Sequence, residues 1–101
     1  MTTTTYRLID LGTDLSSRHR ASGLRNTIIA AVEAENRRVR LDFTGVRTVS
    51  SSFADELIAV LVMARGEDWF RRNVAVVGTT PEVRTTILES VADRLSERET
   101  I

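Results

Sequence analysis

Apolar positions recur along the chain in two periods, and each change of period marks an element. Leu8, Ile9 and Leu11, ending at Gly12, predict a short strand over 6–11, behind a threonine-rich leader over 1–5 that is expected to be flexible. A loop over 12–17 follows, in which Ser16 or Ser17 would cap the next helix. Ala21, Leu24, Ile28, Ala31 and Val32 step by three and four, which predicts an amphipathic helix over 18–35. Gly23 interrupts its first turns and leaves Ser22 as an alternative start. Val39, Leu41 and Phe43 then alternate with Arg40, Asp42 and Thr44, the mark of a strand with one apolar face. Gly45 turns the chain, and 46–49 runs extended into Ser50, Ser51 and Ser52.

The helix expected over 53–65 is very apolar. Before Arg65 its only polar residues are Asp55 and Glu56, in the first turn, where negative charge suits the helix dipole. Ser52 with Asp55 three residues on has the form of a capping box, and Gly66 is the natural stop. Phe53, Leu57, Ile58, Leu61 and Ala64 form one apolar face. Ala59 and Val62 lie on a face that is normally polar. The helix is therefore either buried on both sides or keeps an apolar strip for a partner. Trp69 and Phe70, in an otherwise polar stretch over 67–73, are placed to cover the bottom of the core. The continuous apolar run 74–77 predicts a central parallel strand ended by Gly78. Thr80 and Pro81 read as a cap and a first helical residue, and Val83, Ile87, Val91 and Leu95 step by four through a last helix to about 96. The order β-α-β-α-β-α implies a small α/β fold, a single parallel or mixed sheet with helices packed on it. One domain over 6–97 is expected, with a flexible tail over 98–101.

Composition narrows the function more than the fold. With 101 residues the chain builds one domain. Its 14 arginines balance 14 acidic residues, so net charge is zero, which argues against nucleic-acid binding by bulk electrostatics and against steering to an acidic membrane. There is no cysteine and one histidine, so disulfides, thiolate chemistry and histidine metal clusters are excluded, and no metal or cofactor is expected. No signal peptide or membrane span is visible, and a cytoplasmic location is expected.

The three serines carry what chemistry there is. A serine hydrolase needs a base, and His19, flanked by Arg18 and Arg20, is the only candidate. No G-x-S-x-G elbow and no glycine-rich phosphate loop occurs, so no enzyme is expected. One serine caps the helix, and that leaves two without a role. A hydroxyl just before a helix N-terminus is well placed for phosphorylation, since a phosphate there meets free N–H groups and a favourable dipole.

The string LDFTGVRTVSSSFADEL, a strand, a linker, serines and a helix, resembles the STAS domains of anti-sigma factor antagonists. It is closer still to a STAS-like family of small bacterial domains of uncharacterised function, in which SSFADEL recurs after an A-x-x-L-R helix; Ala21, Leu24 and Arg25 match the latter. The resemblance covers about 18–65. It implies partner switching: the unphosphorylated protein binds a GHKL-type ATPase acting as anti-sigma factor or serine kinase, and serine phosphorylation releases it. By position Ser51 falls on the phosphorylated serine, Ser52 on the next, and Asp42 on the strand aspartate. The chain departs from that pattern at Ser50, where an aspartate is usual, and at Phe53 and Ala54, where glycine and leucine are usual. The expectation is a non-catalytic regulatory module. Ser51, Ser50 and Ser52 are its switch, and Asp55, Glu56, Ala59 and Val62 its contact surface. The kinase or anti-sigma factor would be supplied in trans, and a free sheet edge could pair two copies into a homodimer. The alternative is a small-ligand or nucleotide module using the same helix N-terminus as an anion site.

Overall fold

A computed structural model describes residues 2–99. Three parallel strands form the sheet in the order β1 (Thr3–Arg7), β3 (Arg38–Asp42), β5 (Val74–Val77). The register sets Tyr6 against Leu41 and Leu41 against Val76. The long helices are α1 (Arg18–Glu33), a central helix, and α5 (Pro81–Glu99). The central helix begins as α2 (Ser51–Ala54), widens into one π turn (Asp55–Ala59) and continues as α3 (Val60–Arg65). A short parallel pair, β2 (Asp14–Leu15) with β4 (Thr48–Val49), and a short helix α4 (Glu67–Asn73) complete the fold. The β-α-β-α-β-α order of the main elements is as the periodicity predicts.

The alternation in β3 explains how the layers form. Val39 and Leu41 are buried while Arg38 and Arg40 are exposed, so one face of the sheet is core and the other is open. Helices cover the apolar face with Ile28 and Ala31 from α1, Phe53 and Leu57 from the central helix, and Val83 and Ile87 from α5. The central helix lies between α1 and α5, which pack on its two sides. That arrangement is why its sequence is apolar nearly all round.

Several boundaries differ from the pattern. The leader expected to be flexible supplies β1 from Thr3 onward, because its β-branched threonines pair with β3. The apolar residues after it form a single 3₁₀ turn, Leu8–Leu11, in place of a strand. The stretch expected as a loop contains β2. Helix α1 starts at Arg18, where Ser17 Oγ accepts from the Arg20 N–H at 3.2 Å, and Gly23 sits inside it. Strand β5 is parallel but lies at the edge, not the centre; Ala75 and Val77 face the open side of the sheet, so its apolar run is not buried on both faces. The polar stretch with Trp69 and Phe70 is helical, and both aromatics pack partly buried against the core. Thr80 Oγ1 accepts from the Val83 N–H at 3.1 Å, as the Thr80-Pro81 pair predicts, and α5 runs on to Glu99. The expected tail thus begins inside a helix, and its last residues, Thr100 and Ile101, lie outside the described residues.

Candidate functional site

The start of the central helix is held from below by the β2–β4 pair. Ser50 N–H donates to Leu15 C=O at 2.8 Å, the last backbone bond before the chain turns into the helix. Asp14 clamps the pair from outside, accepting from Arg47 at 2.7 Å and from Thr48 at 2.6 Å. These bonds, that to Arg47 first, hold its carboxyl at about 2, below the usual carboxylate range.

Ser50 is the cap. Its backbone is extended and its Oγ accepts from the Phe53 N–H at 3.0 Å. The capping box expected of Ser52 and Asp55 is not formed, because the helix starts two residues earlier and Asp55 turns to arginines instead. Ser51 is then the first helical residue and is exposed; Ser52 is half-buried beside it. Their N–H groups precede the first capped one, so this end of the helix keeps donors free of intrahelical partners.

One turn further in, arginines from both flanking helices close on Asp55 and Glu56. Arg18, at the start of α1, reaches Asp55 at 3.2 Å and Glu56 at 3.1 Å. Arg25 of α1 pairs with Glu56 at 2.7 Å, and Arg94 of α5 grips Asp55 with two nitrogens. The Arg94 bonds chiefly lower the Asp55 carboxyl, and the Arg25 bond that of Glu56. Arg25 also donates to the Glu56 backbone carbonyl. In a regular α-helix that carbonyl would take the Val60 N–H; here Val60 N–H goes to Asp55 C=O, one residue back. The Arg25 guanidinium thus takes the carbonyl that the wide turn leaves without its Val60 partner.

The expected contact strip does not exist as a surface. Ala59 is 1% exposed and Val62 5%, because α5 packs across the face that looked unpartnered. Asp55 and Glu56 are half-buried in ion pairs and offer no free carboxylates to a partner. Asp42 ends β3 away from these pairs. It accepts from the Thr44 N–H at 2.9 Å, and bonds to Thr44 lower its carboxyl, with Arg7 and Arg40 contributing less. Gly78 passes so close that a Cβ there would lie 2.8 Å from Asp42 Oδ1. His19 is exposed on the first turn of α1. Of the residues singled out by sequence, the structure brings together the serines, Asp55 and Glu56, and leaves Asp42 apart. It adds Arg18, Arg25 and Arg94, of which only Arg25 carried a local signal, as the last position of A-x-x-L-R.

Residues 21–84 match the sequence profile of a STAS-like domain of unknown function (DUF4325). The chain belongs to this family. No curated protein and no solved structure gives a match. The matched span of the STAS-like domain runs from α1 through β5 into the first turn of α5, so it includes the serines, the π turn and Arg25 but not Arg18 or Arg94. Among the described residues no helix is long and apolar enough to cross a membrane, and no group of His, Cys, Asp and Glu is arranged to hold a metal ion.

Proposed function

We propose that this STAS-like domain is a non-catalytic regulatory module, switched by phosphorylation at the start of its central helix. The carrying observation is the division of labour among the serines. Ser50 is occupied as the cap, while Ser51 stands exposed at the first helical position. A phosphate of charge about −2 on Ser51 would face free N–H groups and the positive end of the helix dipole, so it adds charge without breaking the fold. Two carboxylates one turn away would repel it if bare, but three arginines neutralise them. The proposed partner is a GHKL-type ATPase, acting as serine kinase or anti-sigma factor in trans, in the manner of the anti-sigma factor antagonists that the serine stretch resembles.

With Ala59 and Val62 buried, the contact surface in this reading narrows to the rim around Ser51, Ser52 and Arg18. The test is capture of ATPases from host lysate by wild type, Ser51→Ala and Ser51→Glu domains. Wild type and Ser51→Ala should retain the partner and Ser51→Glu should lose it while melting normally. Equal capture by all three rules the switch out. The same free N–H groups support a second reading, a small-anion site. Inorganic phosphate or ATP raising the melting temperature of the isolated domain would favour it.

A further inference from the structure

We propose that the open face of the β1–β3–β5 sheet docks an acidic, extended segment of a protein partner. All-parallel sheets are ordinarily covered on both faces, and among the described residues helices cover only one here. The open face is basic. Arg38 and Arg40 project from the central strand, and Arg7 from β1 stands opposite Asp42 in the register. Three guanidiniums share this face with one carboxylate; Asp42 bonds Thr44 and feels the charge of Arg7 and Arg40, so the face keeps a net positive charge. Elsewhere Arg18, Arg25, Arg37, Arg47, Arg65 and Arg94 all pair with carboxylates. Among the described residues Arg20, Arg72 and Arg84 also lack a carboxylate partner, but they are scattered, whereas Arg7, Arg38 and Arg40 are grouped on one sheet face.

The geometry selects the ligand. Arg38 and Arg40 are two residues apart on one strand, roughly 6.5–7 Å, which is the spacing of alternate carboxylates on another extended chain. Guanidinium forks take carboxylates bidentately. Beside the arginines, Ala75 and Val77 of the edge strand give a small exposed apolar shelf, Val77 being 36% exposed. No aromatic side chain shares the face: Tyr6, the only one on these strands, points to the core side. That favours a protein segment over single-stranded nucleic acid, whose bases need stacking platforms. The surface lies on the opposite side of the sheet from the helices and is independent of the serine reading.

The test is fluorescence anisotropy with a labelled twelve-residue peptide alternating Glu and Thr, at low salt, against the whole chain. Wild type should bind. Arg38→Gln/Arg40→Gln should weaken binding roughly tenfold, the loss of two surface charge pairs, with an unchanged melting temperature. Arg38→Lys/Arg40→Lys should fall between, since charge persists without the fork. Arg72→Gln, an exposed arginine on α4, should change binding less than about twofold. No binding by wild type, or an equal loss in Arg72→Gln, would overturn the proposal. Tighter binding of a twelve-nucleotide single strand than of the peptide would overturn it in favour of nucleic acid.

Discussion

Replacing Ser50, Ser51 and Ser52 by alanine one at a time separates the cap from the switch. Only Ser50 Oγ accepts the Phe53 N–H, at 3.0 Å, and Phe53 itself is 1% exposed, so no water readily replaces the lost acceptor. Loss of an N-cap costs about 1 kcal/mol, up to about 2 where the freed donor is shielded. The central helix is the one on which α1 and α5 pack, so fraying its first turn loosens Phe53 and Ala54 as well. For a domain of this size, 1–2 kcal/mol corresponds to a fall in melting temperature of about 5–15 °C. Ser51→Ala and Ser52→Ala remove hydroxyls outside the cap and should stay within about 0.5 kcal/mol of wild type. Thermal and urea unfolding followed by circular dichroism reads all three. If Ser52→Ala is the most destabilised, or Ser50→Ala melts like wild type, the assignment of the cap is wrong. The reason for singling out Ser51 then goes with it.

Other outcomes follow from the same packing. Gly78→Ala should destabilise by about 2 kcal/mol or more, since φ is +73° and the new methyl would meet Asp42 and Thr44, whereas Gly23→Ala, in open space on α1, should stabilise by about 0.5–1 kcal/mol; urea titrations give both signs. Ala59→Glu should leave the domain largely unfolded, because a charge would be buried under α5; a folded monomer with normal near-ultraviolet dichroism would restore Ala59 to the surface. The carboxyls of Asp14, Asp55 and Glu56 all titrate lower in the folded chain than in the unfolded one. The unfolded state therefore takes up protons first as acid is added. Stability present above about pH 4–4.5 should be lost as pH falls toward about 2, and the urea midpoint should drop through that range. A flat midpoint between pH 5 and 3 would show these ion pairs to be inconsequential.

Periodicity made the main elements legible where an element buries one face, as α1 and β3 do. It failed where a second neighbour mattered. Ala59 and Val62 looked spare because nothing in a helix's own spacing announces that α5, some 30 residues on, will cover them. Strand β5 looked central because Ala75 and Val77 are apolar, although they face solvent. Residues 3–5 looked like a leader because an outward edge strand needs only β propensity, which threonine has, and no apolar run. Among three identical neighbours the spacing to Asp55 points to Ser52 as the cap, and the structure has Ser50, since composition alone does not say which serine is last before the turn. The arginines that close on Asp55 and Glu56 come from 31 to 39 positions away, and an ion pair of that reach leaves no local trace.

The central claim is that Ser51 is the residue a kinase modifies. The direct measurement is phosphosite mapping by mass spectrometry on the domain recovered from its own cells and from an ATP-fed lysate of them. The account predicts one phosphate, on Ser51, with Ser50 unmodified because its hydroxyl holds the cap. A domain whose residues 50–52 stay unmodified while other serines in the lysate are phosphorylated, or one phosphorylated on Ser50, would contradict it.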